Sequence, residues 1–316
     1  MLMRLPFNLK TFTNTYQPEA FISGIVFAKG QKHLPYFLSN YIRIMYNKDA
    51  AVKLGYYNDN HLLKNDGLIK EECGFIPMRY AVQGIDLAQI AVRALDNGKY
   101  VFGAFNDGCI PGKSAYPAQY YWHDYLLYGY EGDAFISAAY LKDQHYKEFK
   151  INMQDYNRAM IIKESDVFIY MLTYDEESPL GFDLPMVKWK LTDYVTSKRL
   201  SEDDAIYGIS AFRWFADDIE YKADTQLDMR YVCFAWEHKN LMRMRLEYMR
   251  DNGYISLSHD VAEQYAEMAK RLHQGVMLAI KYNITHDKHI LERLAQTLRE
   301  SAEQDERVLG DILARL

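Results

Sequence analysis

The sequence is short of cysteine, and the few it has are not paired at any diagnostic spacing. Cys73, Cys109 and Cys233 lie far apart and no C-x-x-C occurs. Neither a zinc site nor a disulfide framework is therefore signalled, and a reducing compartment is the natural setting. Long apolar runs are missing too: none approaches the ~18 residues that a membrane span needs. Residues 1–20 lack the continuous apolar core and the cleavage motif of a signal peptide. There is no basic excess. The formal net charge of -6 argues against a nucleic-acid-binding surface as the main function, although a local patch stays open. Internal repeats and low-complexity stretches are absent. A soluble, cytoplasmic, globular protein is what these absences leave, with no cofactor, no metal, no nucleic acid and no membrane expected.

What is present is a core. Hydrophobic residues make up 49% of the chain against 25% charged, the balance of a globular protein. At 316 residues there is room for two ordinary domains or one large one. The 27 tyrosines are unusual. Each combines an apolar body with a polar tip, which suits half-buried sheets and wet pockets.

Residues 1–20 read as extended and irregular, and 20–29 as a short buried helix or a strand. Residues 34–46 have apolar side chains at helical spacing, with Pro35 in the first turn. Turn formers mark 58–67. Residues 86–97 form a clear helix pattern, with Asp86 able to cap it and Gly98 ending it. Strand-like runs follow at 100–105, 125–130, 134–139 and 149–151, then a helix at 153–162 and a strand at 167–173. The character changes near residue 175, where a stretch rich in turn formers separates mixed α and β from mainly helix. Helices are expected at 188–197, 205–219 and 227–250 and from Ser258 to the C-terminus, with Thr285 or Asp287 able to cap the last. Two domains follow, 1–174 and 175–316, in an α+β chain.

The organising stretch is 98–140. Its first strand runs into Asn106-Asp107-Gly108-Cys109, and its second begins just after His123-Asp124. Nucleophilic catalysis needs a thiol or hydroxyl, a histidine to take its proton and a third group to orient the ring. His123 is the best base, Cys109 the nearest thiol, and Asp107 or Asp124 could orient the imidazole. The alternative is a tyrosine-rich sheet with an incidental histidine. Gly108 to Ser114 fails as a phosphate loop. Three residues separate Gly108 from Gly112, where the nucleotide motif needs four, and aromatic strand follows Lys113-Ser114 instead of a helix. Glu237, His238, Lys239, Arg243, Arg245 and Arg250 read as a solvated or interdomain salt-bridging helix face, with a basic face for an acidic partner as the sharper alternative. His286 and His289 lack carboxylates at ligand spacing, and His259 and His273 read as surface residues.

One order of pieces carries a resemblance. The span 85–159 offers a helix, Asn97-Gly98, a strand, an aspartate loop, then a strand opening on His123 and reaching Gly129-Tyr130. Over residues 15–165 this resembles a papain-like domain of the type found in bacteriocin-processing peptidases and in the N-terminal domain of butirosin biosynthesis protein H. Residues 207–249 look like the C-terminal part of proteins from natural-product gene clusters. The resemblance implies a papain-like antiparallel sheet with helices, followed by a helical domain. It also implies acyl transfer or amide formation in secondary metabolism, on an acyl or peptidyl group held as a thioester by a carrier protein. The family nucleophile falls near residues 21–24, where this chain has Ser23 and no cysteine. The usual orienting residue falls near Ala138-Ala139. Either Ser23 or Cys109 then serves as nucleophile with His123 as base and Asp107 orienting it, or the domain is a non-catalytic pseudoenzyme that binds a carrier protein or peptide. A hydrolase or peptidase is a third reading, disfavoured by the missing cysteine.

Overall fold

The computed structural model describes residues 2–50, 52–57, 67–77, 85–117, 120–143, 145–161, 166–221 and 226–316. Among these the elements follow in chain order as β1 (Leu2–Arg4), α1 (Gln17–Val26), α2 (Leu34–Leu38), β2 (Ile44–Tyr46), β3 (Leu54–Tyr56), β4 (Ile69–Ile76), α3 (Leu87–Asp96), β5 (Tyr100–Asn106), a 3-10 turn (Asp107–Cys109), β6 (Trp122–Glu131), β7 (Ala134–Tyr140), β8 (Tyr146–Asn152), α4 (Met153–Met160), β9 (Val167–Tyr174), α5 (Leu184–Val195), β10 (Ile206–Tyr207), α6 (Ile209–Tyr221), α7 (Met229–Asp251), α8 (His259–Thr285) and α9 (Lys288–Leu313). The protein is α+β with antiparallel sheets. It divides into two compact units, Met1–Lys32 with Asn60–Pro179, and His33–Asp59 with Leu180–Leu316. The expected division at 174 lies close to one crossing point, but residues 33–59 join the C-terminal unit.

In the first unit a seven-stranded sheet runs β4-β9-β5-β6-β7-β8, with β1 added to β6. Every neighbouring pair is antiparallel. Register decides which residues share a face. Val101, Gly103 and Phe105 stand opposite Leu127, Tyr125 and His123, while Phe102 stands opposite Leu126. Side chains alternate along a strand, so the first six share one face and the last two the other. Tyr156 of α4 closes the first face, its hydroxyl 2.9 Å from that of Tyr125. Phe21 of α1 meets Phe102 on the second, ring centroids 6.2 Å apart. Helices thus cover both sides of the sheet.

Two glycines make this packing possible. A Cβ on Gly103 would lie 2.9 Å from the Tyr125 hydroxyl, so the bare backbone makes room for that ring. A Cβ on Gly129 would lie 2.5 Å from the Met3 carbonyl, so glycine here lets β1 approach β6. The Tyr125 ring in turn stacks on Phe105 at 4.7 Å, a pairing worth about 0.5–1.5 kcal/mol beyond the area buried. Asp86 caps α3 as expected, its carboxylate accepting from Gln89 N, and it also takes a bond from Asn157 of α4.

The second unit holds α5 to α9 with the small sheet β10-β2-β3. Here the helix expected at 34–46 stops at Leu38. Ser39 and Asn40 turn their side chains back onto the Pro35 and Tyr36 carbonyls, and Tyr41 follows at φ 55. The chain then enters β2. Local side-chain competition for the backbone has beaten the helical apolar spacing. Residues 20–29 resolve as helix, within α1 to Val26, and the strand expected at 149–151 extends over Tyr146–Asn152. Asp287 caps α9, while the Thr285 hydroxyl ends α8 by donating to Lys281 O. The turn formers at 58–66 lie outside the described residues.

The charged face expected on residues 237–250 requires correction. Glu237, His238, Lys239 and Arg245 are buried, not solvated. Lys239 pairs with Asp305, which also accepts from the Tyr194 and Tyr265 hydroxyls. Arg245 donates to the carbonyls of Leu38, Asn40 and Tyr41, and His238 Nε2 lies 3.0 Å from Ile42 O. These charges satisfy the end of α2 and the turn after it.

Candidate functional site

Residues 106–123 build the site. Asn106 ends β5, and its side-chain oxygen accepts from Gly108 N at 3.0 Å and Tyr121 N at 3.1 Å. Asp107 N donates to Tyr121 O at 2.8 Å. An Asx turn is thereby fastened to the start of β6. This places the Asp107 carboxylate under the His123 ring, Oδ2 to Nδ1 at 3.0 Å, with side-chain exposures of 7% and 32%.

A carboxylate can only accept, so Nδ1 carries the hydrogen. In the neutral imidazole Nε2 then keeps its lone pair, and among the described residues it makes no hydrogen bond. The Tyr121 ring stands edge-on at 5.4 Å, and residues Tyr120, Tyr121 and Trp122 are exposed beside it. A part-exposed histidine with its tautomer fixed by a buried carboxylate has the geometry of a general base.

Lys113 completes the arrangement. A turn through Gly112, at φ +90, carries it inward. Its side chain is almost wholly buried, with Nζ 3.5 Å from Asp107 Oδ1. Burial pushes its pKa down and Asp107 opposes that. Among the described residues neither Nζ nor Oδ1 makes a hydrogen bond, so the contact is an ion pair across a gap. A lysine buried on a carboxylate is not one that reaches phosphate, in keeping with the failed loop spacing.

Neither candidate nucleophile joins the pair. Cys109 Sγ accepts from Asn106 Nδ2 at 3.6 Å and packs against the core beneath α3 and α4. Among the described residues it makes no hydrogen bond with His123. Ser23 lies in the second half of α1, wholly buried, its hydroxyl donating to Glu19 O at 2.9 Å. The sheet separates it from His123, because α1 covers the Phe102 face. The same alternation sends the Asp124 side chain to the face opposite His123, which leaves Asp107 as the orienting group. Ala138 and Ala139 are buried in β7 and contribute no polar atom.

Asn106 and Lys113 are the site residues that motif reasoning missed. The first was signalled by Asn-Asp-Gly as a turn. The second carried no local signal, since only the fold brings it to Asp107.

A groove of about 770 Å³ lies in the second unit between α6, α8 and α9. Its charges are mostly spoken for: Glu220 holds Arg299, Arg271 holds Glu300 and Glu292 holds His289. The chemistry therefore points to His123. No group of three His, Cys, Asp or Glu among the described residues could hold a metal ion. No described helix is long and apolar enough to cross a membrane. The chain matches no known protein family, and no curated protein matches it.

Proposed function

We propose that this protein is a papain-like acyltransferase that acts without a covalent acyl-enzyme, using His123 as general base on the acceptor itself. The reading is carried by the Asp107–His123 contact at 3.0 Å, with no hydrogen bond to the far ring nitrogen among the described residues. The likeness to papain-like domains is supported at the start of α1. There Gln17 bonds Asp124 O at the opening of β6 and accepts from Tyr140 N, setting the helix start against the histidine strand. In the proposed step an amine attacks the thioester carbonyl and Nε2 takes its proton. The tetrahedral intermediate collapses to the amide and expels thiolate, which takes the proton back from the imidazolium. The C–N bond forms as the C–S bond breaks, and the one proton that moves passes from amine to imidazole to thiolate, so the step balances without an enzyme nucleophile. The donor is an acyl group on a carrier protein, as the resemblance implies.

The test uses an acyl-pantetheine thioester and a primary amine, following free thiol and amide by mass. His123→Ala and Asp107→Asn should each lower the rate by roughly 10²–10⁴, while Ser23→Ala leaves it unchanged. An acyl adduct on the intact protein that disappears in Cys109→Ser would restore the covalent route and refute this one. A second reading, favoured by the two displaced nucleophile candidates, is a pseudoenzyme that binds the carrier. It predicts carrier binding with no turnover, equal in wild type and His123→Ala.

A further inference from the structure

Lys113 is an expensive residue to bury, and the function above does not use it. A buried ammonium needs a counter-charge, and Asp107 Oδ1 supplies it at 3.5 Å, with the Phe149 ring 5.4 Å away. The same carboxylate gives its other oxygen to His123. We propose that Lys113 is a positioning residue that divides Asp107 between two partners, so that the carboxylate orients the imidazole without holding it as imidazolium. With Lys113 charged, the three groups are neutral overall while His123 is a free base. Protonating His123 leaves a net positive charge in a mostly buried cluster, which Coulomb repulsion at low dielectric opposes.

Other charges around the cluster are engaged elsewhere. On α4, Arg158 pairs with Asp155 and reaches the Cys109 carbonyl. On β8, Lys147, Glu148 and Lys150 pair with Asp143, Arg4 and Glu131. The Lys142 ammonium lies over the Tyr116 ring, and Asp124 is on the opposite sheet face. Just before β6, Tyr121 turns its ring edge to the imidazole, and on β6 itself Tyr125 is the titratable group on the His123 face, its hydroxyl engaged by Tyr156.

The inference rests on the general-base reading of His123, but its test does not need activity. Imidazole Cε1–H resonances are followed by NMR through a pH titration of the full chain. In Lys113→Met the His123 titration should move upward by about one pH unit, and in Lys113→Arg it should stay within a few tenths of wild type. If transfer activity is found, the acid limb of its pH–rate profile should move with it. A titration unmoved in a folded Lys113→Met overturns the inference, whatever the activity. A titration that moves in a protein with no transfer activity upholds it and sinks the proposed function instead. Should Lys113→Met fail to fold, the Lys113 Cε resonance of the wild type decides: Lys113 must be protonated throughout the range in which His123 titrates, and a neutral Lys113 there refutes the proposal.

Discussion

His238 offers a quantitative test of the buried network in the second unit. Its ring lies among Tyr56, Tyr194, Phe212 and Phe234, wholly buried, with Nε2 on the Ile42 carbonyl. A carbonyl only accepts, so Nε2 carries the hydrogen and Nδ1 is bare, with no hydrogen-bond partner among the described residues. Protonation would put an unpaired charge into an aromatic interior beside Lys239 and Arg245. Burial, and then those two cations, push the pKa from 6.5 down to about 4, against the opposing pull of Ile42 O and Asp305. Between pH 6.5 and 4 the unfolded chain therefore binds a proton that the folded chain refuses. Stability must fall as pH drops through that window, and at roughly 1.4 kcal/mol per pH unit the loss is about 3 kcal/mol. His238→Phe keeps an aromatic ring but gives up the bond to Ile42, so at pH 7 it should be less stable by about 1–2 kcal/mol. It should lose about 3 kcal/mol less than wild type on going to pH 4, and the two stability curves should cross. Urea unfolding followed by tryptophan fluorescence reads this unit well, since Trp189, Trp214 and Trp236 belong to it. Parallel curves for the two proteins over pH 4–7 would refute the argument.

Three further outcomes are expected. Lys239→Met strands the Asp305 carboxylate in the interior and should cost about 3–5 kcal/mol, much of it recovered in the double variant with Asp305→Asn, because the cycle removes both charges; urea midpoints of the four proteins measure the coupling. Gly103→Ala drives a methyl into the Tyr125 hydroxyl and should destabilise the first unit by about 1–3 kcal/mol, seen as a lower thermal midpoint. Cys109→Ser should leave transfer activity within about twofold of wild type, whereas a loss comparable to that of His123→Ala would return the cysteine to the mechanism.

The strands of the first unit were legible because their punctuation is local. Gly98 closes α3, Asn106 closes β5, and Glu131-Gly132-Asp133 turns β6 into β7. The pairing of Asp107 with His123 was legible for the same reason: in an antiparallel pair, the end of one strand lies beside the start of the next. What could not be read was the face. Ser23 and His123 are compatible in spacing, yet a sheet stands between them, and only the register of β5 on β6 decides that. The buried charges of α7 were misread for a related reason. Lys239, His238 and Arg245 repeat like a solvated face, but their partners are Asp305 and the carbonyls of residues 38–42, which no local window contains.

The two-part tracing of the second unit has a consequence for how the chain can be made and cut. Emerging from a ribosome, the first unit has all of its own segments once Pro179 is out. The segment His33–Asp59 must wait, its carbonyls at Leu38, Asn40 and Tyr41 unanswered until Arg245 is synthesised about 200 residues later. Such distant closure slows folding and lengthens the interval in which apolar residues such as Phe37, Ile42 and Ile44 stay uncovered. No single cut separates the units either. A fragment ending near residue 179 carries an orphaned helix and hairpin, and one beginning near 180 lacks two strands of its sheet. Splicing residues 33–59 directly onto 180–316 is the edit that would give the helical unit a continuous chain.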